Sequence, residues 1–295
     1  MTPFAGAAAL RLATRASPLA RAQTELAVAA LGRVSEGPID TLVVRTSGDR
    51  QTDVPMDHLE GQGWFTAELE RALLDGAAQI AVHSAKDLPT EPASGLVVAA
   101  YLPRADARDG AITRDGRTLA DLPPGATIGT GSMRRIAFLN GLYPDLAPKD
   151  IRGNVDTRLR KLAEGSVDAL VLACAGLDRL GLGSQVAERL DPSLFVPAPA
   201  QGAIALECAA GTPAQALCEA VGDPDTTAAV SAERAALTGL GGGCLLPFGA
   251  WARVAEGRIV LTAALATGDG IRHVQLEGSV DDPVALGMAV ADALR

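Results

Sequence analysis

Leu10-Arg11-Leu12-Ala13-Thr14-Arg15-Ala16-Ser17-Pro18-Leu19-Ala20 passes from strand grammar to helix grammar within one short stretch. Leu10 to Thr14 reads as a strand. Ser17 then offers a side-chain oxygen to cap a helix, and Pro18 has the fixed φ suited to its first turn. Leu19, Ala22, Leu26 and Ala29 keep helical spacing as far as Gly32. A strand that runs straight into a helix is the building unit of an α/β layer, in which helices cover a sheet.

The alternation extends outward. Thr41 to Arg45 is a short apolar run suited to a buried strand, and a polar, glycine-bearing stretch follows from Ser47 to Gly63. Phe65, Leu69, Ala72 and Leu73 mark a helix ended by Gly76; Ile80 to Val82 and Leu96 to Tyr101 are strands. Pro103 to Gly110 is charged and turn-rich and reads as a crossover to a second layer. There Ala126 to Ile128, Lys149 to Ile151 and Ala169 to Ala173 are strands, and Met133 to Gly141 and Val155 to Glu164 are helices. Pro197-Ala198-Pro199 reads as a hinge, after which Ala203 to Cys208 is a strand able to rejoin the first sheet. Asp223-Pro224-Asp225 marks a further boundary. Beyond it a helix near Thr226 to Thr238 precedes strands of period 2, with Ile259, Leu261, Ala263 and Leu265, then Val274 and Leu276, and a last helix from Pro283. The expected fold is α/β. One domain uses 1–102 and 203–221, a second uses 103–202, and a small α+β domain with an antiparallel sheet covers 222–295.

Composition narrows the function. The 295 residues carry a net charge of −9, and 48% are hydrophobic but only 3% aromatic, so the cores are built from Ala, Val, Leu and Ile. A pI near 4.9 disfavours nucleic acid and anionic membrane as partners, and few aromatics are left to stack on bases. No apolar run approaches the ~18 residues of a membrane span. Cys174, Cys208, Cys218 and Cys244 show neither CxxC nor metal-ligand spacing, so no metal and no disulfide framework is expected, and the setting reads as a reducing cytoplasm. Arg11, Arg15 and Arg21 in an acid-poor start faintly resemble a transit peptide, but a strand at Leu10 leaves no room for a cleaved segment. The scarcity of aromatic surface motifs favours a monomer.

Against that negative charge, arginines gather in a few corners. Gly129-Thr130-Gly131-Ser132-Met133-Arg134-Arg135 opens a helix with two cations in its first turn, against the macrodipole. Free N–H groups, hydroxyls and guanidiniums together suit an anion. Arg152-Gly153-Asn154-Val155-Asp156-Thr157-Arg158 repeats the theme, with Asp156 and Glu164 as alternative surface partners of Arg158. Arg15 ends a strand before a helix N-terminus, and Arg179 follows a strand and the short turn Ala175-Gly176-Leu177. Several such corners suit a ligand with many carboxylates or phosphates. Neither GxxxxGK[ST] nor GxGxxG is present, which disfavours a nucleotide. His83-Ser84-Ala85-Lys86-Asp87 comes off a short strand, where α/β sheets meet ligands; Asp87 is the only carboxylate of that turn, and His83 reads as structural. Gly241-Gly242-Gly243-Cys244 presents a thiol on backbone that no side chain shields.

These blocks, with Ala200-Gln201-Gly202-Ala203, resemble the porphobilinogen deaminase (hydroxymethylbilane synthase) family and occur in its order along nearly the whole chain. The resemblance implies three domains, the first two related to two-lobed binding proteins. It also implies a dipyrromethane cofactor joined by a thioether to Cys244, on which four porphobilinogen molecules condense with loss of ammonia. Asp87 corresponds to the catalytic acid. Ser84, Lys86, Thr130, Ser132, Arg134, Arg135, Arg152, Asn154 and Arg158 correspond to cofactor contacts, and Arg15, Ser17, Arg179 and Gln201 to substrate contacts.

Two departures stand out. His58 and Gln62 lie where many members carry lysines, which leaves Arg50 as a substitute cation, and Gly131 replaces a frequent serine. Two rival readings use the same residues. A polycarboxylate receptor explains the arginines but not Cys244, and a thiol hydrolase lacks an evident partner base.

Overall fold

The computed structural model describes residues 9–45, 66–243 and 246–295. Among these, one compact unit comprises 9–45, 66–104 and 203–227, and the other comprises 105–202, 228–243 and 246–295.

In the first unit, β1 (Leu10–Arg15) runs parallel to β2 (Ile39–Val44) on one side and to β3 (Ile80–Ser84) on the other. The late strand β10 (Ile204–Ala209) enters antiparallel between β3 and β4 (Leu96–Tyr101), giving the order β2-β1-β3-β10-β4. Helix α1 (Pro18–Leu31) starts as its sequence dictates: the Ser17 hydroxyl accepts from Ala20 N, and Pro18 stands in the first turn. Its buried face, however, is Ala20, Gln23, Thr24, Ala27 and Leu31, while Leu26 is exposed. The apolar spacing from Leu19 therefore finds the helix but not the side turned inward. Two buried polar residues occupy that side because each has a partner: Thr24 Oγ1 donates to Thr14 Oγ1 at 2.7 Å, and the Gln23 amide meets Ser84 Oγ at 2.9 Å. Helix α2 (Ala67–Leu74) buries Leu69, Ala72 and Leu73 under the same sheet.

The second unit repeats the plan. β6 (Thr127–Gly129) runs parallel to β7 (Ala147–Lys149) and to β8 (Ala169–Ala173), while β5 (Asp109–Thr113) enters antiparallel between β8 and β9 (Glu188–Arg189). The order β7-β6-β8-β5-β9 thus mirrors the first sheet, with an inserted antiparallel strand in the same place. Helices α3 (Met133–Leu142), α4 (Val155–Ala163) and α5 (Cys174–Arg179) follow the parallel strands. Three expectations are corrected. At the edge of the first sheet, β2 is half-buried or exposed along its length rather than a buried strand. Asp109 and Gly110 belong to a fully buried strand rather than to a crossover, and the turn after β8 is a short helix.

Helices α6 (Pro213–Val221) and α7 (Pro224–Gly239) lead to a three-stranded antiparallel meander, β11 (Phe248–Ala255), β12 (Arg258–Thr267) and β13 (Gly270–Ser279), closed by α8 (Pro283–Leu294). Ala232, Ala236, Phe248, Leu261, Val290 and Leu294 form the core of this last layer. A second contact explains why it shares a unit with 105–202: Ala264, Trp251 and Ile271 pack with Phe138, Leu139, Phe195 and Val196.

Candidate functional site

The two sheets place their chemistry at corresponding edges. In the first unit, β1 and β3 are parallel neighbours, so their carboxyl ends emerge together. Arg15 and Ser17 leave one, and Ser84, Lys86 and Asp87 leave the other. Ligands of open α/β sheets meet the chain at such ends. Lys86 and Asp87 sit half-buried in a 3-10 turn over Ala85–Asp87. That turn is fixed by the Ala85 N–H donating to Ala203 O at 3.1 Å and by Leu88 N donating to Ala85 O. Gln23 shares a hydrogen bond with Ser84 and sets the orientation of its hydroxyl. His83 lies one residue before, buried, with Nε2 at 3.0 Å from Glu207 Oε2 on β10.

In the second unit the corresponding edge collects far more cation. Thr130 follows β6, fully buried, and its hydroxyl accepts from Ser132 N at 3.3 Å. Ser132 caps α3 through Arg135 N. Arg152 lies beyond β7 with Nε on Asp150 at 3.0 Å, and Arg158 Nε donates to Gly153 O at 2.7 Å. Asn154 occupies the N-cap position of α4, exposed, without using its side chain as a cap. Arg160, rather than Arg158, pairs with Glu164.

Arg134 and Arg135 are buried to 4% and 6% exposure, and both face a carboxylate that sequence reading left inside a crossover, Asp109. Arg134 Nη2 donates to Asp109 Oδ2 at 2.7 Å and Nη1 to Val196 O at 2.8 Å. Arg135 donates to Asp109 Oδ1 through Nη2 and Nε, and to Val171 O through Nη1. The Gln201 amide donates to Asp109 Oδ1 at 2.9 Å and to Ala107 O at 2.8 Å. Burial alone would raise the Asp109 carboxyl, but the two guanidiniums and Gln201 hold it below the ordinary carboxylate range. Desolvation pushes Arg134 down. Its Cζ lies 5.8 Å and 5.7 Å from the Phe138 and Phe195 ring centres. The network buries two cations and one anion together.

Arg179, at the end of α5, is of another kind. Its Nη2 donates to Gly202 O at 2.6 Å, its buried Nε has no hydrogen-bond partner, and burial is what lowers its pKa. The neighbouring carboxylate Asp178 is taken by Arg189, which also bonds Asp106. Arg179 therefore presents a half-buried cation without a carboxylate among the described residues. Cys244 lies outside those residues, as do Arg50, His58 and Gln62 with the 47–63 segment. Cys174, Cys208 and Cys218 are free and buried, and burial raises the Cys174 thiol to about 11. Among the described residues no cluster of three metal-ligating side chains occurs, and no helix is long and apolar enough to cross a membrane.

Asp109, Gln23 and Glu233 are polar residues that sequence reading passed over. The density of opposite charges in Arg104-Ala105-Asp106-Ala107-Arg108-Asp109 was the available signal for the first.

The family described as "Porphobilinogen deaminase, dipyromethane cofactor binding domain" matches residues 10–216, and its C-terminal domain matches 227–295. The porphobilinogen deaminase of Acidothermus cellulolyticus is 45% identical over 303 residues, covering 100% of this chain and 91% of that protein. That of Brevibacillus brevis is 42% identical over 287 residues, covering 96% and 93%. Among solved structures, lipoprotein Tp32 of Treponema pallidum aligns with a TM-score of 0.46 at 15% identity, over 72% of this chain and 88% of that one.

Proposed function

The chain belongs to the porphobilinogen deaminase family, and from that premise we propose that it is the transferase hydroxymethylbilane synthase. It joins four porphobilinogen molecules head to tail, releases ammonia at each addition, and frees hydroxymethylbilane by hydrolysis, a step of tetrapyrrole synthesis. The observation that carries the reading is the family match across both parts of the chain at over 40% identity to the relatives. A cytoplasmic monomer acting on a small molecule, with no nucleic-acid or membrane partner, accords with a net charge of −9.

A dipyrromethane with its acetate and propionate groups suits the second unit's edge, where Arg134 keeps a buried Nε without a hydrogen-bond partner and Arg152 and Arg158 stand partly exposed. When bound through a thioether to Cys244, this cofactor would supply the pyrrole carbon from which the product grows. We assign its acid groups to Ser84, Lys86, Thr130, Ser132, Arg152, Asn154 and Arg158. Arg134 and Arg135 add positive potential from their seats on Asp109. Arg15, Ser17, Arg179 and Gln201 are assigned to the incoming substrate, each guanidinium contact contributing about 1.5–3 kcal/mol. Asp87, beside Lys86, stabilises positive charge that develops as the substrate's amine departs, and holds or passes the pyrrole N–H proton. Three domains, divided as the sequence suggests, keep the acid, the arginine edge and the tether on separate elements.

Intact-mass measurement tests this. The purified protein should exceed its sequence mass by two linked pyrroles and consume porphobilinogen. A protein of bare polypeptide mass that stays so after incubation with porphobilinogen would overturn the assignment.

A further inference from the structure

Glu233 is fully buried in α7 and accepts two backbone N–H groups, one on each oxygen. Oε2 takes Ala200 N at 2.6 Å, and Oε1 takes Ala252 N of β11 at 2.6 Å. A buried side chain whose two oxygens each accept a backbone N–H ties two separate segments of chain to α7, since buried donors need their acceptors. The restraint falls on an unusual residue. Ala200 has φ +62, one of only two non-glycine residues with positive φ among those described. A left-handed backbone at a residue with a Cβ is disfavoured and persists when its surroundings over-determine it.

The two residues that follow this turn reach the arginine edge. The Gln201 side chain is seated on Asp109 and Ala107. Gly202 has φ +90, and its carbonyl accepts from Arg179 at 2.6 Å. Its own backbone is packed so closely that an added Cβ would lie 2.5 Å from Ala105 O. Gln201 and Gly202 therefore have little freedom to adjust if Ala200 relaxes.

We propose that Glu233 is a positioning residue for the substrate-carboxylate site, because it holds the left-handed Ala200 turn that seats Gln201 on Asp109 and sets the Gly202 carbonyl against Arg179. The same helix ends at Gly239, five residues before Cys244 in the sequence. The inference rests on the assignment of Arg179 and Gln201 to substrate.

The experiment uses the full-length, cofactor-loaded enzyme with porphobilinogen. In Glu233→Gln one side-chain atom becomes an N–H donor facing a backbone donor, so either Ala200 N or Ala252 N loses its acceptor. The variant should keep the added mass of the cofactor and raise KM about tenfold. Loss of folded protein alone would lower the rate at saturation and leave KM unchanged. Adding Ala200→Gly, which removes the cost of positive φ, should bring KM of the double variant back to within about threefold of the parent. A wild-type KM in E233Q, or a raised KM that A200G does not restore, overturns the proposal. Should E233Q fail to accumulate, Ala200→Val decides. It leaves Glu233 intact and opposes only the left-handed backbone, so a raised KM supports the inference and an unchanged one overturns it. The parent enzyme separates the two levels: no consumption of porphobilinogen by wild type sinks the functional reading, whereas normal consumption with an unmoved E233Q sinks only this one.

Discussion

Asp109 takes Arg135 side-on, with Oδ1 accepting from Nη2 at 2.6 Å and from Nε at 3.1 Å, while its other oxygen accepts from Arg134. A carboxylate at the first residue of a buried strand thus anchors two consecutive arginines of a helix that starts beside it. The local sequence explains the geometry: Asp109 pairs with Ala173 at the carboxyl end of β8, the edge from which α3 also departs.

Replacing Asp109 by Asn should therefore leave two buried guanidiniums without their anion. Breaking a buried pair in this way costs about 3–5 kcal/mol, and D109N should show a correspondingly lower denaturant midpoint at neutral pH. The pH dependence has a definite sign. Because the folded pKa of Asp109 is lowered, its contribution is complete above the unfolded value of about 3.9 and fades as pH falls toward the folded value. The gap between wild type and D109N should be constant from about pH 5 to about pH 7, above the unfolded value of about 3.9, and shrink below it. A gap that widens on acidification would contradict this account.

Gly202→Ala probes the backbone beneath Arg179. At φ +90, with Ala105 O 2.5 Å from the added Cβ, the chain must move or strain. The expected cost is about 1–3 kcal/mol, read as a lower melting temperature, together with a raised KM because the carbonyl that orients Arg179 shifts.

Much of this architecture is legible in the sequence, and the exceptions share a cause. β8 appears as Ala169–Ala173 because an unbroken apolar run has one reading, and α1 begins at Pro18 because its capping signals are local. β5 hides because its first residue is a buried aspartate whose compensation comes from a helix 25 residues on. β11 hides because Gly249 and Ala250 are buried by close approach to Val196 and Pro197, with no alternation of large side chains to advertise it. The arginines of the site are visible by type. Which of them is already paired is not, since Asp109, Gln201 and Val196 are brought together only by the fold.

Asp87→Asn tests the acid. The side chain is nearly isosteric and half-buried at the end of β3, so folding and cofactor mass should be retained. Loss of a positioned acid–base group lowers turnover by about 10²–10⁴-fold. The measurement is single-turnover consumption of porphobilinogen beside intact mass, and normal turnover would remove Asp87 from the chemistry.

Cys244→Ser addresses the tether. A serine hydroxyl lacks the nucleophilicity of a thiolate, so the variant should purify at its bare polypeptide mass and form no product. The other cysteines give the control: Cys174, Cys208 and Cys218 are buried, and Cys208→Ala should keep the added mass.

Arg179 separates charge from geometry. Its guanidinium is half-buried, one nitrogen bonds Gly202 O, and the cation has no carboxylate among the described residues. If a substrate carboxylate supplies that anion, Arg179→Lys keeps the charge but loses the planar fork that meets two oxygens while holding Gly202. R179K should then raise KM for porphobilinogen by about tenfold and R179A by more, for a charge-assisted contact of about 1.5–3 kcal/mol. Stability should move the other way in R179A: removing an uncompensated buried cation relieves its desolvation, so its melting temperature should equal or exceed that of the parent measured without substrate. A melting temperature that falls sharply in R179A would mean that the guanidinium already has its counter-charge within the protein, and the substrate assignment would fail with it.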